Sequence, residues 1–123
     1  MFGFTVFISK KYNSSEQIKE LDRSEIFVIP SKSEGMPQTL VEAMARGKIV
    51  VCSDNEGNKE LVKDNVTGFL FKNEDSKDLE RVLKLVQNSN KKDLASIKIK
   101  ARAFSENYKW DKIIQKLESL ISQ

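Results

Sequence analysis

Two short apolar runs with a helix-length segment between them constrain the fold more than any other feature of this sequence. The strands predicted at residues 25–30 and 48–52 hold continuous apolar runs, as strands covered on both faces do. Residues 37–46 between them predict a helix, with Pro37 in its first turn and Gly47 as its stop. Parallel strands need such a crossover helix, so the pattern predicts a parallel α/β sheet.

Strands and helices alternate along the rest of the chain as well. The predicted fold is therefore a single α/β domain, Rossmann-like, with a small parallel sheet of about four strands flanked by helices. The remaining predicted elements are a strand at residues 5–9, a helix from Ser14 or Ser15 to Leu21, a short helix at residues 58–63, a strand at residues 68–71, and three amphipathic helices that begin at Asp75 or Ser76, at Asn90 and at Trp110.

The composition excludes several kinds of chemistry. None of the 123 residues is His, which rules out Ser-His-Asp and Cys-His catalysis and the common zinc sites. The one cysteine, Cys52, cannot form an internal disulfide, which fits a reducing compartment such as the cytoplasm. Its place in an apolar run predicts a buried side chain, not a nucleophile. The net charge of +3 is too small to indicate a nucleic-acid partner, and membrane association stays open.

The segment between the first two buried strands is where a ligand is expected. In open α/β sheets, ligands bind beyond the carboxyl ends of the strands, where the following helices begin. The N–H groups of Gln38 and Thr39 lie in a first helical turn and suit a phosphate. Gly35 has no side chain and lets a ligand approach the backbone. Glu34 and Glu42 flank this point and can accept hydrogen bonds from hydroxyls, so the pattern describes a sugar-nucleotide site.

Either acid alone has a simpler interpretation. Glu34 could be a loop acid at the surface, and Glu42 an exposed position on its helix. The neighbours of Glu42, in the run LVEAMA, are apolar or small, however, and a helix of that kind is covered on most sides. An acid there is costly unless it is paired or hydrogen-bonded, so we expect Glu42 to be partly buried.

The stretch EGMPQTLVEAMARG, residues 34–47, resembles the retaining glycosyltransferases of family 4. IPS before it and VVCSDNEGNKELVKDNVTGFLF after it add to the resemblance, which is clearest over residues 26–73 and extends loosely to Phe104 and Trp110. Such enzymes have a two-domain GT-B fold. The resemblance implies that residues 1–123 are the later part of the C-terminal, donor-binding domain, without the N-terminal acceptor domain.

The resemblance also implies the chemistry. A sugar would pass from a nucleotide diphosphate to an acceptor with retention at the anomeric carbon, without a metal ion or any cofactor besides the sugar nucleotide. The roles implied are catalysis and donor-sugar binding for Glu34, lining of the sugar for Gly35, Met36 and Pro37, diphosphate binding for the N–H groups of Gln38 and Thr39, and ribose binding for Glu42.

The resemblance implies that transfer needs a partner or the missing half of the enzyme, because the family members are longer and carry the acceptor site in their other domain. Either a separate N-terminal-half chain or a homo-oligomer is expected; the alternative is a non-catalytic remnant, or a module that binds sugar nucleotides or partners. In the family the last helix packs onto the N-terminal domain. Here that helix would fold back on its own sheet, self-associate or bind a separate chain through an apolar stripe of Trp110, Ile113, Ile114, Leu117, Leu120 and Ile121.

Overall fold

The described part of the chain forms a parallel four-stranded sheet with helices on both faces. The structure is a computed structural model that describes residues 6–8, 23–29 and 37–122, with the backbone alone for residues 6–8, 37 and 38. Val51 lies opposite Val28 on one side and Phe69 on the other, and every pairing is parallel. The predicted fold class is confirmed. The strands, in chain order and in sheet order, are β1 Val6–Ile8, β2 Ile26–Ile29, β3 Ile49–Ser53 and β4 Phe69–Phe71.

Between residues 37 and 90 the structure has the three helices that the sequence predicted. After residue 90 it has one helix where two were predicted. The helix predicted between residues 14 and 21 lies outside the described residues. None of the helices that the structure describes combines the length and apolar character needed to cross a bilayer. The helices are α1 Pro37–Ala45, α2 Glu56–Leu61, α3 Ser76–Asn88 and α4 Lys91–Ile121.

The ends of α1 and α2 follow from single residues. Gly47 has a φ of 76° and closes α1, with its N–H bonded to the Met44 carbonyl and the next N–H bonded to the Ala43 carbonyl, both at 3.1 Å. Asn55 caps α2 by accepting from the Asn58 N–H at 2.8 Å. The helix predicted at about residues 58–63 therefore begins two residues earlier, at Glu56, because the prediction did not use the Asn55 cap.

The sheet separates two apolar clusters. Successive side chains of a strand point to opposite faces, so Phe27 packs on the α1 side of β2 and Val28 on the α3 side. Helix α4 contributes to both clusters, with Leu94 on the α3 side and Ala101 on the α1 side. The central strands β2 and β3 are buried along their whole length, as their continuous apolar runs predicted.

Helix α4 corrects the prediction of two closing helices after Asn90. It runs for 31 residues without a break at Trp110. The apolar positions shift to another side of the helix near residue 109, where the sequence analysis placed the start of a new helix. With about 100° per residue, Trp110 lies roughly opposite the buried Ala101. Neither Gly nor Pro interrupts this stretch, so the backbone continues while the apolar face changes sides.

The part of α4 from residue 109 onwards carries an uncovered apolar face. Every residue from 109 to 122 is exposed. Folding back on the sheet, one of the three expected outcomes, is therefore wrong for this structure, since Trp110 is 64% and Ile121 81% exposed. We call the exposed apolar set the α4 stripe: Trp110, Ile113, Ile114, Leu117, Leu120 and Ile121.

Two leucines of α4 give a matched test of this arrangement. Leu94 is 3% exposed and Leu117 52% exposed. Leu94→Ala should lower the free energy of unfolding by about 2–5 kcal/mol, because it leaves a cavity in the core. Leu117→Ala should change it by less than about 0.5 kcal/mol, as surface substitutions do. Urea denaturation of the two variants measures both values; a comparable loss in both would mean that the stripe is covered in solution.

Candidate functional site

The first turn of α1 lies where the sequence predicted a ligand. β2 ends at Ile29 and α1 begins at Pro37, so α1 starts at the carboxyl edge of the parallel sheet. The backbone N–H groups of Gln38 and Thr39 belong to this turn, as expected, and the Thr39 side chain is buried. Glu34, Gly35 and Met36 lie outside the described residues. Their predicted roles stay predictions, as do those of Pro37, Gln38 and Thr39.

Glu42 lies at the centre of a small charged cluster on α1. Its side chain is 37% exposed, so the expected partial burial is confirmed, while its role in binding ribose stays a prediction. The Arg46 Nε donates to Glu42 Oε1 at 3.1 Å. The Lys109 Nζ donates to Glu42 Oε2 at 3.5 Å. Each carboxylate oxygen therefore receives one cation, and the two cations come from different helices.

The sequence could have predicted the contact of Glu42 with Arg46 but not its contact with Lys109. Arg46 follows Glu42 by four residues on the same helix, the spacing at which opposite charges meet. Lys109 is 67 positions away in sequence. Only the packing of α4 against α1 brings it to the carboxylate, so no local signal pointed to it.

Aromatic packing fixes α4 just before Lys109. The partly buried Phe104 and Tyr108 pack against the cluster on the α1 side. Their rings stack with centroids 6.1 Å apart. The Lys112 Nζ lies 5.3 Å from the centroid of the Tyr108 ring, a cation–π distance. The backbone of Lys109 is thus held close to α1, although the residues after it are exposed.

A cavity of about 430 Å³ lies further along the same edge of the sheet. Three of its aspartates accept from backbone N–H groups: Asp54 from Asn73 and Asp64 from Leu70, each at 2.9 Å, and Asp78 from Lys72 at 2.6 Å. A hydrogen bond from Arg81 and that bond from Lys72 lower the pKa of Asp78. These aspartates shape loops, and within the described ranges no group of three or more acidic or Cys side chains could hold a metal ion.

The buried position predicted for Cys52 is confirmed. Its side chain is 0% exposed, and its thiol lies 3.9 Å from the Phe69 carbonyl oxygen. Burial, with a smaller contribution from the negative charge of Asp64, raises the pKa of the thiol to about 12. A thiol of this kind is protonated at neutral pH and is a poor nucleophile.

The sequence profile of the glycosyl transferases group 1 family matches residues 5–104. The chain belongs to this family. Helix α4 extends beyond the matched stretch, which ends before Lys109 and the α4 stripe. The glycosyltransferase resemblance found in the sequence is confirmed at the level of the family.

Known proteins, a curated glycosyltransferase among them, are similar along most of this chain. The amylovoran biosynthesis glycosyltransferase AmsK of Erwinia amylovora is 33% identical over 121 residues, which are 89% of this chain and 30% of AmsK. The crystal structure of TarM superposes with a TM-score of 0.70 at 30% identity, over 93% of this chain and 23% of TarM. The structure of Anabaena HepE in complex with UDP superposes with a TM-score of 0.69 at 25% identity, over 84% of this chain and 30% of HepE.

The similar proteins are longer than this chain and have the GT-B fold. The neighbours are GT-B glycosyltransferases, which confirms the predicted fold relationship. The chain spans 30% of the length of AmsK, and the same share of a second curated glycosyltransferase, from Methanocaldococcus jannaschii. What the complete enzymes do therefore applies to this chain only as a proposal.

The Cys52 thiol gives a test with a defined pH dependence. In the folded state its pKa is about 12, against 9.0 for an unperturbed thiol, so the folded state holds the proton more tightly. The resulting stability is complete below about pH 9 and is lost as the pH rises towards 12. At pH 8, a thiol-reactive probe should modify the urea-unfolded chain rapidly and the native chain very slowly. Rapid modification of the native chain would contradict the burial.

Proposed function

We propose that this chain binds the nucleoside-diphosphate sugar of a metal-independent, retaining glycosyltransferase of family 4, and acts in the cytoplasm. The observation that carries the proposal is the partly exposed carboxylate of Glu42, held one turn after the start of α1 in a chain of this family. A helix start supplies N–H groups for phosphate, and the carboxylate supplies acceptors for hydroxyls. A nucleotide presents both groups at neighbouring positions.

The direction of the Glu42 side chain supports a nucleotide bound along the first turns of α1. Side chains of a helix lean towards its N-terminus, so the Glu42 carboxylate extends back towards the N–H groups of Gln38 and Thr39. A diphosphate on these N–H groups would leave the ribose beside Glu42. Each hydrogen bond from a ribose hydroxyl to the carboxylate would contribute about 1.5–3 kcal/mol to binding.

The donor sugar would lie on the other side of the diphosphate. We assign its hydroxyl contact to Glu34 and its lining to Gly35, Met36 and Pro37, as the resemblance implies. Glu34 would thereby be the catalytic residue, because its carboxylate touches the donor sugar. HepE has been solved with UDP, so uridine nucleotides lead the candidates for the donor. Weak binding by the chain alone, in the millimolar range, is expected.

Ligand titration of the isolated chain tests the assignment of Glu42. UDP, GDP and ADP and their glucose derivatives should be compared by thermal shift and NMR titration. Glu42→Gln should weaken the best of them at least tenfold, because neutral hydrogen bonds replace charge-assisted ones. The matched control is Glu80→Gln on α3, since Glu80, like Glu42, pairs with a cation four residues later in its own helix, here Lys84 at 2.9 Å.

The control variant should bind as the unmodified chain does. Equal binding by Glu42→Gln and the unmodified chain would refute the ribose assignment. If no nucleotide binds at any concentration tested, the result supports the alternative, in which the chain is a non-catalytic remnant or an interaction module.

The partner of this donor-binding chain would be an acceptor-binding part that covers the α4 stripe. Two observations support this partner. The chain spans 30% of AmsK, and the stripe leaves six large apolar side chains between 47% and 81% exposed. Exposed apolar patches of roughly 300–600 Å² commonly mark interaction sites. A separate N-terminal-half chain is the form proposed, and a homo-oligomer is the other outcome.

The purified chain alone should transfer no sugar. Rate depends on holding donor and acceptor together in one geometry, and the proposed acceptor side is not supplied by this chain. A coupled assay for release of UDP, GDP or ADP, run with and without a polyprenyl-phosphate or oligosaccharide acceptor, measures this. Robust transfer by the chain alone would refute the need for a partner. Light scattering on the same sample reports whether the chain instead forms a homo-oligomer through the stripe.

A further inference from the structure

The ion pair between Lys109 of α4 and Glu42 of α1 contributes too little to stability for folding alone to explain it. Lys109 is 47% and Glu42 37% exposed, and ion pairs exposed to this degree add little to the stability of a fold. We propose that Lys109 is a positioning residue for the nucleotide site: it holds the Glu42 carboxylate in the orientation that accepts both ribose hydroxyls. This inference rests on the proposed function of Glu42.

The cluster leaves the carboxylate able to accept further bonds. An ionised carboxylate offers about four acceptor positions on its two oxygens. Arg46 occupies one position on Oε1 and Lys109 one on Oε2. One position on each oxygen then remains for two adjacent hydroxyls, which is the arrangement a ribose presents.

Lys109 does what Arg46 cannot do alone. Arg46 lies on the same helix as Glu42, so that pair fixes the carboxylate relative to α1 alone. Lys109 belongs to α4, and its ammonium group gives the carboxylate a second fixed point outside α1. A flexible Glu side chain that is ordered before the ligand arrives loses less conformational entropy on binding.

The placement of Lys109 is itself built into the packing. The stacked rings of Phe104 and Tyr108 fix the preceding turn against the α1 side of the core. Lys112, one turn later, is directed to the Tyr108 ring. Lys109 is therefore the lysine of this turn that reaches Glu42, and it lies outside residues 5–104, the stretch that the family profile matches.

The test compares two nucleotides on four forms of the chain. UDP has the ribose diol, and 2′,3′-dideoxyuridine diphosphate has the same charge without it. The chain itself, Lys109→Met, Lys109→Arg and Lys116→Met are titrated with both by NMR. Lys116 is the matched control, because it lies two turns further along the same side of α4 and its substitution removes the same charge.

The expected result is specific to the diol. Lys109→Met should weaken UDP roughly three- to tenfold and leave the dideoxy nucleotide unchanged. Lys109→Arg should restore UDP binding to within about twofold, since it keeps a cation at similar reach. Lys116→Met should change neither. Denaturation midpoints for the four forms should agree, which separates positioning from loss of structure.

Three other outcomes overturn the inference. Equal weakening of both nucleotides by Lys109→Met would mean that the lysine acts only through its charge on the diphosphate. No change for either nucleotide would mean that the ion pair does not position Glu42. If the unmodified chain binds UDP no better than the dideoxy nucleotide, or does not bind UDP, the proposed ribose role of Glu42 fails first, and the role of Lys109 fails with it.

Discussion

Burial of both faces of the two central strands determines the rest of this structure. β2 and β3 have no solvent-facing side, so helices must cover the sheet above and below. That requirement places α1 on one face and α3 on the other, and it draws α4 into both clusters. Gly68 shows how close this packing is, because a Cβ there would lie 2.6 Å from Val50 Cγ2 and 3.0 Å from the Val50 carbonyl oxygen. The glycine before β4 is thus a packing requirement.

Local patterns predicted the sheet and α1 well, for a physical reason. Continuous apolar runs, a proline in a first turn and a glycine with positive φ each act within a few residues, so the sequence carries them directly. The same reasoning predicted α4 wrongly, because a shift of the apolar face near Trp110 is compatible with two structures. The chain can break and start a new helix, or the helix can continue and expose the second face. The local apolar pattern is compatible with both, so a single sequence does not decide between them.

The candidate site likewise has residues that local sequence predicts and one, Lys109, that it does not. The partial burial of Glu42 could be predicted, because an acid among apolar neighbours on a covered helix is costly unless it is paired or hydrogen-bonded. Arg46 could be predicted from its spacing. Lys109 could not, because its contact depends on how α4 crosses α1 and on the Phe104 and Tyr108 packing that fixes the crossing. Tertiary contacts of this kind are the part of a binding site that short motifs leave out.

The continuity of α4 links the two surfaces that the proposals concern. Lys109 contacts Glu42, and the next residue, Trp110, begins the α4 stripe. A partner bound to the stripe would order the same helical turn that carries Lys109. If Lys109 positions Glu42, that ordering favours the nucleotide, and the bound nucleotide favours the partner by the same factor, because coupling between two binding equilibria is reciprocal. A break before Trp110, as the sequence suggested, would have separated the two proposed surfaces, whereas the unbroken helix places them next to each other.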